Sequence, residues 1–83
     1  MDMEETKKKI ALLNARLTKK RYTLTEWRTE MCLDLKDICN IIGVSPEYLR
    51  QVRRGINPVS KKIAEGIYKL TDGKVATKSE IIG

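Results

Sequence analysis

The spacing between Leu35 and Arg54 constrains this chain more than any other feature, because two short amphipathic segments meet there across Gly43-Val44-Ser45-Pro46. Asp34 can cap a helix from Leu35 to Ile42 whose apolar stripe is Leu35, Ile38, Cys39 and Ile42. Gly43 supplies a left-handed residue to end it. Ser45 then caps a second helix with Pro46 at its first position, where the missing N–H costs nothing. That helix stops at Gly55. Helix, glycine turn and helix form a helix-turn-helix. Its demands are met in order. Cys39 is the small residue at the helix crossing, Val44 plugs the turn, and Leu49 and Val52 seat the second helix on the first.

The other side of that second helix carries the functional signal. At about 100° per residue, setting Glu47 at zero places Arg50 near −60°, Gln51 near +40° and Arg54 near −20°, while Leu49 and Val52 centre near 170°. The polar stripe is therefore opposite the core stripe. Arg and Gln can make paired hydrogen bonds to guanine O6/N7 and adenine N6/N7, and Glu can accept from cytosine N4. Glu47, Arg50, Gln51 and Arg54 are the expected base-reading residues of a helix, 46–54, lying in a major groove. A solvated helix face has the same polarity, so the turn spacing and the charge of the chain must carry part of the argument.

That charge is positive. Seventeen Lys and Arg against eleven Asp and Glu give +6 over 83 residues, which favours an anionic partner. There are no histidines, so the commonest general base and metal ligand are missing together, and no catalytic constellation is visible. No enzyme activity, cofactor, metal or small-molecule substrate is expected. Two cysteines, Cys32 and Cys39, are too few for a closed zinc site and are expected to be buried, reduced thiols. Aromatic residues make up 5% with no Phe, too little for a single-strand stacking platform. No apolar run is long enough to span a membrane, and Met1 to Lys9 are polar, so a soluble, cytoplasmic protein is expected.

The remaining pattern is helical, and an all-α fold is expected. Met3, Ile10, Leu13 and Leu17 recur at helical steps among lysines, predicting one amphipathic helix from Met3 to Arg21. Thr23 and Glu26 have the form of a capping box, with Tyr22 and Trp27 as its hydrophobic staple, for a helix from Leu24 to about Cys32. Trp27 and Met31 are expected in the core against Ile38 and Ile67. A further helix from about Val59 to Leu70 turns Ile63, Ala64, Ile67 and Leu70 inward and closes at Asp72-Gly73. In the tail, Thr77 with Glu80 can cap a last turn that places Ile81 and Ile82. The expected division is an N-terminal amphipathic helix over 1–22, a helix-turn-helix domain over 23–73 and a short tail over 74–83.

The run GVSPEYLRQVRRGINP, Gly43 to Pro58, resembles the Xre/Cro/CI-type helix-turn-helix of phage and bacterial repressors, where G-V-S-P followed by Y-L, R-G and N-P recurs. The likeness spans roughly Leu24 to Leu70. It implies a lambda-repressor-like domain of about five helices, here with an extra N-terminal helix, acting as a homodimer on a double-stranded DNA operator. It also implies that Glu47, Tyr48 and Gln51 face bases or the adjoining backbone, with Lys36 near phosphates. Two departures stand out. The family often has an acid where this chain has Arg53; if that acid pairs with a first-helix arginine, Arg28 has lost its partner. Met1 to Arg21 has no counterpart in the family pattern.

Phosphate contacts are expected from Lys36, Ser45, Tyr48, Arg53, Asn57, Lys61 and Lys62. Arg53 and Arg54 would also favour the helix dipole by about 0.3–1 kcal/mol each whatever the function. Ile10, Leu13 and Leu17 are expected to serve self-association or domain packing. A rival expectation is a protein-interaction module, such as an antitoxin or adaptor, that uses the helix-turn-helix as a scaffold.

Overall fold

A computed structural model describes residues 3–83; Met1, Asp2 and the side chain of Met3, part of the expected N-terminal helix, lie outside the described residues. The described chain forms α1 (Met3–Arg16), α2 (Leu24–Met31), α3 (Leu35–Ile42), α4 (Pro46–Arg53), α5 (Lys61–Leu70) and α6 (Lys78–Ile82), with no strand among the described residues. The fold is all-α, as expected.

α1 is shorter than its periodicity predicts, stopping at Arg16 rather than Arg21. The reason lies beyond its end. Lys19 and Arg21 are drawn into ion pairs with Glu26 and Glu80, while Tyr22, only 5% exposed, draws the chain inward. The Tyr22 N–H donates to the Lys74 carbonyl at 2.7 Å, and the Tyr22 hydroxyl accepts from the Lys19 N–H at 3.2 Å. Of the apolar positions proposed for this helix, Ile10 is buried, Leu13 and Leu17 are half-buried, and Leu17 lies past the helix end. The periodicity passed over Asn14, which is also buried.

The local stop and start signals act as predicted at α2. The Thr23 hydroxyl accepts from the Glu26 N–H at 3.1 Å and Glu26 Oε1 accepts from the Thr23 N–H at 3.1 Å. Cys32 ends α2 in the left-handed region, φ 55°, and is exposed, whereas Cys39 is buried. The expectation of two buried thiols therefore fails for Cys32, because the residue that ends a helix at this bend points its side chain away from the core. Burial raises the Cys39 thiol pKa.

Leu24, Trp27, Ile38, Cys39, Leu49, Val52, Ile63, Ile67, Val75 and Ile81 are all fully buried in one cluster. Ile82, expected beside Ile81, is 42% exposed. α5 begins at Lys61 instead of Val59 because Ser60 takes the cap, its hydroxyl accepting from the Ile63 N–H at 3.2 Å. α5 also lies very close to α3: a Cβ built on Gly66 would stand 3.1 Å from Ile42 Cβ and Cγ2. Only a hydrogen fits there comfortably.

The tail joins the same core. Buried Thr71 donates to the Ile67 carbonyl at 2.8 Å and accepts from the Val75 N–H at 3.1 Å, turning the chain from α5 towards α6. The predicted Thr77/Glu80 capping box is present, and α6 packs on α2, α4 and α5. No helix among the described residues is long and apolar enough to cross a membrane.

Candidate functional site

The orientation of α4 is set at its N-terminal end. Gly43 adopts φ 79° and its N–H donates to the Cys39 carbonyl at 2.8 Å, with the Val44 N–H reaching the same oxygen at 3.1 Å. Ser45 then caps α4, its hydroxyl accepting from the Tyr48 N–H at 3.1 Å, and Pro46 follows at the first helical position. Leu49 and Val52 are fully buried. Because those two side chains fix the rotation of the helix about its axis, the opposite strip must face outward.

That strip carries Glu47, Arg50 and Arg54, all exposed. The side chains of Glu47 and Arg50 are 72% and 63% exposed and lie 4.0 Å apart, a weak solvated ion pair. Arg54 is the residue that ends the helix. Two guanidinium forks on one face can each donate a pair of hydrogen bonds to guanine O6/N7 or to a phosphate.

Gln51 sits at the edge of the strip, half-buried, and its side-chain oxygen accepts from Asn57 Nδ2 at 2.6 Å. The Ile56 N–H donates to the Gln51 backbone carbonyl at 2.9 Å, so the loop after α4 folds back onto this residue. Gln51 and Asn57, expected to read a base and to hold a phosphate, are thus bonded to each other. The Asn57 bond takes one of the two acceptor sites of the Gln51 amide oxygen and holds that side chain against the loop.

The phosphate candidates divide into groups. Lys36 is exposed on the first turn of α3. Lys61 is exposed at the head of α5, 3.9 Å from Glu65. Lys62 reaches across to the turn and donates to the Gly43 carbonyl at 3.1 Å, which brings its charge to the start of α4. Ser45 is exposed but its oxygen is engaged as the cap, and Tyr48 is half-buried against the core.

Arg53 turns away from the strip. It is half-buried and its Nη2 donates to Thr25 Oγ1 on α2. Burial, and secondarily the charge of Arg28, lower its pKa. The helical wheel contains this signal: Arg53 lies about 120° from Glu47 but only about 70° from the centre of the core stripe. Arg28, on the facing side of α2, is the residue that sequence reasoning named only for a missing partner.

A groove lies between α1, α3 and α5, floored by Ile10, Ile42 and Leu70 and edged by Lys7 and Lys69. Comparison of the chain with protein-family models, curated proteins and solved structures finds no match in any of the three.

Proposed function

We propose that this chain is a sequence-specific double-stranded DNA-binding regulator, a Cro/CI-like repressor with a lambda-repressor-like helix-turn-helix, that acts by occupying an operator. The observation that carries the reading is the exposed Glu47, Arg50 and Arg54 strip on a helix whose opposite face is buried through Leu49 and Val52. An outward-facing helix of this length fits a major groove, and its arginines have the donor geometry that guanine edges accept. Lys61 and Lys62, beside the turn, supply charge for the adjoining backbone, with Lys36 at the head of α3. Arg50 and Arg54 become the principal base readers. Gln51 is a conditional one, since its oxygen is held by Asn57. A homodimer would set two such helices about one turn of duplex apart, matching a palindromic site. No bond is made or broken.

Selection from a random duplex pool should yield a bound consensus, and affinity for it should fall steeply between ~50 mM and ~200 mM salt. Arg50→Ala should weaken that complex by about 1–3 kcal/mol while random duplex loses only the share of one charge. Equal loss on both duplexes would remove Arg50 from base reading; no enrichment and no low-salt binding would remove the DNA reading itself.

A second reading, an antitoxin-like or adaptor module, draws on the groove between α1, α3 and α5. Its mark would be a protein partner whose binding survives at a salt concentration that abolishes duplex binding.

A further inference from the structure

We infer that the groove between α1, α3 and α5 is a docking site for an acidic amphipathic helix of another protein. Its two walls are helix faces. On α1 the lining positions are 7, 10, 11 and 14, and on α5 they are 61, 62, 65, 66, 69 and 70, each set recurring at three- and four-residue steps. From Lys61 to Leu70 the α5 wall runs nine residue steps, about 14 Å or two and a half helical turns. The space between the walls, about 1050 Å³, takes several side chains of a partner at once.

The chemistry of the lining selects the occupant. Ile10, Ile42 and Leu70 on the floor offer nothing to a phosphate, and Ile42 and Leu70 are only half-buried, so they gain from apolar cover. Around them stand Lys7, Lys61, Lys62 and Lys69, all exposed, against the carboxylates of Glu65 and Asp72. Four cations facing two anions favour carboxylates on the flanks of whatever enters. Backbone geometry selects its form. The N–H and C=O groups of helical walls are spent within the helices, so an extended segment would find no partners for its own main chain. A helix brings its main chain already paired and presents apolar anchors at i, i+3, i+4 and i+7. A second copy of this chain does not supply one. Its charge is +6, and α2, where Glu26 and Glu30 outnumber Arg28, keeps Leu24, Trp27 and Met31 inside its own core.

The inference supplies the partner chemistry that the adaptor reading leaves open. The floor carries a share of the binding that salt does not screen, so this complex outlasts a duplex complex as salt rises. Lys61 and Lys62 belong both to the groove and to the charge offered to a duplex backbone. In that one respect the inference rests on the DNA reading: the docked helix and the duplex compete.

The test titrates the isotope-labelled full-length chain with a synthetic peptide of about 15 residues, long enough to become helical, that carries Leu at the four anchor spacings and Glu on both flanks. A peptide of the same composition in scrambled order is the control. The groove predicts saturable backbone shifts at Ala11, Ile42, Gly66 and Leu70 with the patterned peptide and none with the scrambled one. Lys7→Glu combined with Lys69→Glu, both at exposed positions, should weaken the complex by about tenfold, as two solvated attractions become repulsions. Equal shifts from both peptides overturn the groove. Saturable shifts centred on Arg50 and Arg54 also overturn it and assign an acidic partner to α4 instead. Groove shifts that follow chain concentration alone, or anionic phospholipid vesicles and not the peptide, give the groove to a second copy or a membrane and overturn the proposal as well. A bound duplex should be displaced as the patterned peptide saturates. A ternary complex would overturn the competition while upholding the docking site, and peptide saturation in a chain that binds no duplex would uphold the groove and remove the DNA reading.

Discussion

At the scale of single residues, a buried polar side chain ties α1 to two other helices. Asn14, 5% exposed, accepts from Trp27 Nε1 at 2.8 Å and donates from Nδ2 to the Leu70 carbonyl at 3.0 Å. One amide thus satisfies the indole N–H of a fully buried tryptophan and the last carbonyl of α5. Asn14→Ala leaves the buried indole N–H of Trp27 without its acceptor, and such an orphaned donor costs about 1–3 kcal/mol, whereas the Leu70 carbonyl lies where solvent can replace the lost bond. The expected result is a lower denaturant midpoint at unchanged slope, read through the fluorescence of Trp27, the one tryptophan of the chain. An unchanged midpoint would mean that water reaches the indole. Asn14 escaped sequence reasoning because a polar residue on an apolar stripe is read as a gap in it, and neither of its partners lies nearby in the chain.

At the scale of elements, helix starts were the most legible parts of the molecule. Thr23 with Glu26, Ser45 with Pro46 and Thr77 with Glu80 each place a cap where the sequence predicts one, because a cap needs only residues within one turn of each other. Ser60 was passed over because Pro58 and Val59 suggested an earlier start. The exposed strip of α4 was legible for the same local reason, whereas the Gln51 to Asn57 bond and the Arg53 to Thr25 contact depend on how a loop and a neighbouring helix return to α4. The link between the two ends of the fold is of this long-range kind. Arg21 donates through Nε and Nη2 to Glu80, at 2.7 Å for the shorter contact with Nη2, while Glu80 Oε1 also accepts from the Ala76 and Thr77 N–H groups. The Arg21 guanidinium first, then those amides, lower the Glu80 pKa from 4.5 to about 2. A depressed carboxylate stabilises the folded state above its ordinary pKa, and that contribution is lost as pH falls from 4.5 towards 2. Thermal melts across this range should show Glu80→Gln losing less stability on acidification than the unaltered chain; parallel curves would show that Glu80 is not the group responsible.

At the scale of the whole molecule, the segments before and after the helix-turn-helix are structural parts of it. Ile10 and Asn14 from α1, with Val75 and Ile81 from the tail, are buried together with the residues of α2 to α5. A chain lacking residues 1–16 loses the cover over Trp27. It should therefore unfold at lower denaturant concentration and emit at longer wavelength from its tryptophan. Sedimentation of the same pair of chains checks the expected self-association: a truncated chain of undiminished stability that only changes from dimer to monomer would make α1 an association element instead. The packing of α5 on α3 extends this dependence to the surface charges. A Cβ at Gly66 would stand 3.1 Å from Ile42, tighter than an ordinary contact, so the close approach of α5 to α3 depends on the missing side chain. A methyl group at Gly66 would press on the Ile42 side chain from the middle of the helix that carries Lys61 and Lys62 at its head, so those two charges are positioned by a contact to which neither belongs.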